Sequence, residues 1–339
     1  MRRTRRFLAG AVLGAATLGV YLLYAGPDQV LARATTFAPW AVGVVLALVV
    51  CEAVVDGIGV WASVKPLGEG LSPRRSDQFA LAGDFFDVLS PAGPVSSEPI
   101  MARFISVETD TGYSEALGVR GVAKYVKSGA QLSVSTVLVG LFLLGGSSRR
   151  YVLLTLGGAV GALVAVGVVL AFGRTVLNRV LVATLAPVVV LVSGVYREQP
   201  HDRSVVADAV DRFWARALYF REAPGLVAVI AVGGVLEQVL TATAIWVALA
   251  GTGELVTFVA VVALIPLPRA ASVVPIPGSL GAYDVLLAGA LVVMAGAPTA
   301  AAAAAVLVVR TFELTTSLGL GGLATAFLRG WTPGWAGGA

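Results

Sequence analysis

Residues 273–284 read VVPIPGSLGAYD. Two prolines, two glycines and an aspartate interrupt a strongly apolar chain. Proline removes a backbone donor and glycine weakens a helix, so the stretch reads as a turn. The flanks decide the fold. Glu254–Ile265 and Tyr283–Gly296 are apolar but hold only 12 and 14 residues. Helices of that length extend about 20 Å, short of the roughly 30 Å hydrocarbon core of a bilayer. The two pieces therefore form a re-entrant hairpin over 254–296, with PLPR (266–269) and then Pro275, Pro277, Gly278 and Gly281 at its turn. Irregular backbone at membrane depth is tolerated only where protein or a wet cavity surrounds it.

An earlier stretch has the same form. Ser76–Ser90 and Val95–Ser106 are short and flank PAGP (91–94), with Pro91, Gly93 and Pro94 as the turn of a hairpin over 76–106. Pro91 precedes Glu98 by seven residues, as Pro277 precedes Asp284.

Composition places both hairpins in a membrane. The 339 residues are 57% hydrophobic and 13% charged, about half the charge of a soluble domain. Full-length spans are expected at Phe7–Tyr24, Trp40–Val64, Gly129–Gly146, Tyr151–Gly173, Pro224–Ala250 and Thr299–Leu328. Phe7–Tyr24 follows a basic start but shows no clear cleavage site, so it reads as an uncleaved first helix. Arg2, Arg3, Arg5 and Arg6 put the N-terminus in the cytoplasm, and six crossings return the tail there. Arg149 and Arg150, in an outside turn, run against that rule.

The first hairpin then enters from the cytoplasm and the second from outside, as in inverted-repeat transporters. The fold class is an all-α polytopic membrane protein, with about six transmembrane helices and two re-entrant hairpins of opposite orientation. Residues 1–173 form a first membrane half and 224–328 a second. The segment 174–223 is a cytoplasmic or interfacial helical connector, because arginines flank its apolar part, 180–196, on both sides. A short cytoplasmic tail, 329–339, follows.

Ionisable groups within a bilayer need a reason. Glu52 and Asp56 share a helical face, as a polar lining or as a pair near the cytoplasmic end, solvated or hydrogen-bonded. Glu98, in PVSSEP near the start of a half-helix, either caps exposed N–H groups or meets a lipid headgroup; Asp84, Asp87 and Arg103 lie on the same hairpin. Glu237 lies mid-span in GGVLEQVL (233–240), and Arg310 in VLVVRTFEL (306–314) is its expected partner. Arg310 also neighbours Glu313 at i,i+3. Such a pair is structural, or it holds a phosphate through the guanidinium fork.

Other chemistry is excluded or unsupported. Cys51 is the one cysteine and His201 the one histidine, so no thiolate or histidine-based metal site is expected. No phosphate loop, H-E-x-x-H or G-x-S-x-G signature occurs. No cofactor, metal or catalytic residue is expected, and no nucleic acid; the basic excess belongs at membrane flanks.

PIPGSLGAYDVLLAGAL (275–291), followed by VLVVRTFEL, resembles the flippase-like family named after the transmembrane region of lysylphosphatidylglycerol synthase. That family has a Pro-x-Pro-Gly-Gly-x-Gly-x-x-Glu stretch before a helix and an arginine in the last span. Pro275, Pro277, Gly278, Gly281 and Arg310 match, while Ser279 replaces a glycine and Asp284 the glutamate. FDVLSPAGPVSSEPIMARFIS (86–106) is similar to its earlier turn and arginine-bearing helix. The resemblance covers roughly residues 7–328.

It implies a stand-alone translocation region without the aminoacyl-transferase domain. The function expected is binding and translocation of a phospholipid or lipid-linked headgroup between leaflets of the cell membrane. Glu98, Arg103, Glu237, Asp284, Arg310 and Glu313 are the headgroup residues, and membrane lipids the partners. The alternative is a non-transporting accessory protein working beside enzymes of envelope-lipid or glycan biosynthesis. An enzyme acting on polyprenyl-linked substrates is a third reading with no residue constellation behind it.

Overall fold

The computed structural model describes residues 37–89, 94–142, 203–268 and 281–329, with scattered positions in 23–32 and 154–183. Every regular element among the described residues is helical. The order is α1 (Pro39–Val64), α2 (Pro73–Leu89), α3 (Pro94–Thr109), α4 (Tyr113–Phe142), α5 (Arg203–Tyr219), α6 (Pro224–Gly251), α7 (Phe258–Leu264), α8 (Ala282–Ala295) and α9 (Thr299–Thr316). A π-helical turn, Ser317–Gly321, carries α9 into α10 (Gly322–Ala326).

Three of these helices are long and apolar enough to cross a membrane: α1, α6 and the continuous helix Thr299–Ala326. Proline sits in the first turn of α1 and α6, where its missing N–H would have no helical partner. Their outer faces carry Trp40, Leu46, Val54, Val232 and Leu236, all exposed, as a lipid-facing surface requires. The Ala38 N–H donates to the Gly251 carbonyl at 3.0 Å. The start of α1 thus meets the end of α6, and the two run antiparallel.

Two apolar cores lie at opposite ends of this pair. One joins Ala41, Val45 and Val49 of α1 to Ala242–Leu249 of α6, and to α7, α8 and the early part of α9. The other joins Val60 and Val64 of α1 to Ile230 of α6, and to α2, α3 and the start of α4. Each core contains one of the two short-helix regions. Between them both long helices become polar, at Glu52 and Asp56 and at Glu237 and Thr241.

The first short-helix pair forms as expected. Phe86 stacks on Phe104 with ring centroids 5.6 Å apart, and the Ser97 hydroxyl donates to Asp87 across the arms. Neither α2 nor α3 has the length and apolarity of a spanning helix. In the second region only seven residues of Glu254–Ile265 are helical, as α7, and Ala282–Ala295 is a short apolar helix. Trp246 of α6 ties the entry down, donating from Nε1 to the Val256 carbonyl at 2.9 Å.

The expected span Gly129–Gly146 is described as far as Phe142, and that part belongs to a longer helix. α4 starts at Tyr113, because GYSEALGVRGVAKYVKSGA has no proline to stop it. The Gly112 N–H donates to Glu115 at 3.1 Å at its start. Within the connector, α5 packs along α4 and buries Val206, Val210 and Trp214. Its Arg216 reaches both Glu115 and the Pro66 carbonyl at 3.1 Å. The span Phe7–Tyr24, most of Tyr151–Gly173, the segment 180–196 apart from 182–183, and Pro91, Gly93, Pro275, Pro277 and Gly278 lie outside the described residues. Pro94 is the first residue of α3.

Candidate functional site

The polar layer between the two cores encloses a cavity of about 410 Å³, within the range of small-ligand pockets. Its wall comes from α1, α2, α4, α6, α8 and α9 together. Six carboxylates line it: Glu52, Asp56, Asp84, Asp87, Glu237 and Glu313. Three cations face them, Lys124, Lys127 and Arg310. Thr241, Tyr283, Thr316 and Ser317 add hydroxyl groups. Glu52 and Asp56 both line the cavity, and Asp56 also accepts a hydrogen bond from Lys127 at 2.6 Å.

Each cation bridges carboxylates from different elements. Lys127 of α4 lies 2.6 Å from Asp56 of α1 and also contacts Glu237 of α6. Lys124 lies 3.2 Å from Glu98 and 3.9 Å from Asp87. Arg310 of α9 reaches Asp284 of α8 at 3.0 Å and Glu313 at 2.7 Å, with its guanidinium 5.0 Å from the Tyr283 ring centre. Glu52 and Asp84 have no basic group within 4 Å among the described residues.

Asp284 does two things at once. One carboxylate oxygen accepts the Gly281 N–H at 2.9 Å, fixing the start of α8; the other faces Arg310. Gly281 has φ +80°, a conformation glycine adopts without a Cβ penalty. The matched glycine–aspartate spacing is thus a helix-start device attached to the arginine of the last span.

Two expectations are corrected. The partner the structure shows for Glu237 is Lys127 rather than the expected Arg310, because residues 124–128 continue as helix into the polar layer and bring a lysine opposite α6. Glu98 does not cap α3. Its carboxylate takes a bidentate pair of hydrogen bonds from Arg120 at 2.7 and 2.8 Å, and it borders the cavity through Lys124. Arg103 is exposed on α3 and does not line the cavity. Glu237, Arg310 and Glu313 are brought together as expected, with Asp284 held behind Arg310.

Sequence reasoning missed Lys124 and Lys127 as site residues. The available signal was their i,i+3 spacing after Arg120 on one helix face, five and two residues before the apolar run that starts at Gly129. Uncharged polar ties adjoin the layer: Gln238 donates to Ser135 and to the Val262 carbonyl, both at 2.8 Å, and Gln131 donates to the Gly234 carbonyl at 2.7 Å.

Among known families, the model of the lysylphosphatidylglycerol synthase TM region matches residues 7–321. No curated protein and no solved structure matches the chain.

Proposed function

The chain belongs to the lysylphosphatidylglycerol synthase transmembrane-region family, a membrane family related to lipid handling, and from that premise we propose that it binds a lipid headgroup in the central cavity and moves the lipid between leaflets. The observation that carries this reading is the cavity itself. A charged space of about 410 Å³ lies midway along the long apolar helices, walled by helices from both halves. Charges at such a depth are costly and mark a pathway for polar cargo.

In this reading Arg310 meets the phosphate. Its planar fork keeps one carboxylate while turning other N–H donors to phosphate oxygens. The acidic wall favours a headgroup, or an accompanying ion, with positive charge. The two short-helix regions act as opposed re-entrant hairpins whose packing changes open the cavity to one leaflet or the other. The protein would sit in the cell membrane with cytoplasmic termini and would not act as an enzyme. The accessory reading has no structural observation in its favour over this one.

Reconstitution in liposomes with labelled phospholipids of several headgroups tests the proposal. Headgroup-dependent movement above protein-free vesicles is expected, and Arg310→Ala should lower it more than it lowers the yield of folded protein. No movement for any headgroup, with or without a proton or sodium gradient, would sink it.

A further inference from the structure

Lys127 is unlike the other cations of the cavity. Its ammonium lies between Asp56 of α1 and Glu237 of α6, so carboxylates from both long antiparallel helices converge on one Nζ. Gly234 makes the room: a methyl group built there would lie 2.7 Å from Lys127 Cγ. The lysine side chain is still 16% exposed and lines the cavity. The same wall carries Glu52 and Asp84, which have no ion pair within 4 Å among the described residues and feel Lys127 at longer range, and carboxylates outnumber cations around the cavity.

A lysine is a compact ammonium on a flexible four-carbon stem. A ligand ammonium carries the same charge and comparable donors. It can occupy the Asp56–Glu237 position when the stem swings toward Glu52 and Asp84. Emptying that position without replacement would leave two inward-facing carboxylates uncompensated, which is strongly unfavourable. An exchange of one ammonium for another avoids that step.

We propose that Lys127 is a tethered competitor: its ammonium fills a cation subsite between Asp56 and Glu237, and an ammonium-bearing lipid headgroup displaces it. The proposal rests on the headgroup reading of the cavity and adds the class of ligand and the residue that guards the site. Glu237 then serves the ligand directly, and Lys127 returns to it on release.

The test uses the full chain in detergent, with Lys127→Cys in a Cys51→Ala background and two probes, short-chain phosphatidylethanolamine and phosphatidylglycerol. Removing a competitor that fills the site about nine-tenths of the time tightens apparent binding about tenfold. That gain is expected for the ethanolamine lipid and not for the glycerol lipid. Modification with 2-aminoethyl methanethiosulfonate restores an ammonium and should abolish the gain, whereas methyl methanethiosulfonate should leave it. Equal changes for both lipids, or none, overturn the competitor role while leaving headgroup binding intact. Binding of neither lipid to either protein overturns the headgroup reading as well. Should the variant fail to fold, the unmodified protein answers through its lysines. Lys127 should react with trinitrobenzenesulfonate faster when the ethanolamine lipid is bound, with Lys65 as internal control. No such acceleration also overturns the proposal.

Discussion

Glu98→Gln gives the sharpest test of how the first short-helix pair is held. Glu98 and Arg120 join α3 to α4 through two hydrogen bonds of 2.7 and 2.8 Å, and their side chains are only 15% and 9% exposed. The glutamine is nearly isosteric but removes the charge that compensates Arg120. Breaking a buried pair from one side costs about 3–5 kcal/mol, because the remaining charge is left uncompensated. The amide oxygen still accepts one bond, so the lower end, about 3 kcal/mol, is the expected loss. In a chain of this size that lowers the melting temperature by about 4 °C. Equilibrium unfolding in mixed micelles, followed by tryptophan fluorescence, measures it. Arg120→Met in the Glu98→Gln background should recover part of the loss, since the buried charge then goes too. A single-variant cost below about 1 kcal/mol, or a double variant equal to the sum of the singles, would refute the buried-pair argument.

Four further outcomes follow from the same geometry. Gly281→Ala should destabilise by about 1–3 kcal/mol, seen in thermal melts, because its φ of +80° and ψ of −52° lie in a region sparsely open to residues with a Cβ. Asp284→Ala should be worse than Asp284→Asn by about 1 kcal/mol, the usual worth of a helix-start acceptor that asparagine retains. Arg103→Ala should stay within about 0.5 kcal/mol of the parent in the same melts, because its side chain is exposed. Gly234→Ala should drive a methyl group into the Lys127 stem, costing about 1–3 kcal/mol by overpacking; equal stability to the parent would show that the stem yields freely.

The helical class and the break between α2 and α3 were legible because length and proline placement act locally. Pro39, Pro224 and Pro298 each begin or precede a long helix, and PAGP separates α2 from α3. The Arg310–Glu313 pair was legible for the same reason, since helical spacing alone fixes it. What escaped the sequence depends on distant chain segments. Lys127 and Glu237 are far apart along the chain, and their meeting depends on how α4 packs against α6. The polar stretch before Gly129 carries no local signal of a site; packing against α3, α5 and α6 makes it part of the polar layer. Glu98 was misread on similar grounds. Two serines before a glutamate form a local capping signal, but Arg120 on the next helix offers a bidentate partner, and the stronger charge-assisted bonds prevail.

The placement of charge in this molecule is poorly explained by stability. A buried ion pair roughly breaks even with apolar packing of the same volume, and both cores are well filled without one. Yet Lys124, Lys127 and Arg310, with six carboxylates, are concentrated in the layer between those cores. Each of these cations bridges separate helices, so displacing one cation loosens two helices at once. The π-helical turn Ser317–Gly321 borders the layer, with Ser317 in the cavity wall, and packs against α2; such turns commonly mark functional positions in long helices. A ligand that exchanges with Lys127 would therefore act on a joint between the α1–α4 and α6–α9 regions, and one that exchanges with Lys124 or Arg310 on a joint within one of them. On this reasoning the aspartate of VVPIPGSLGAYD is one of those joints. It anchors the first turn of α8 to Arg310.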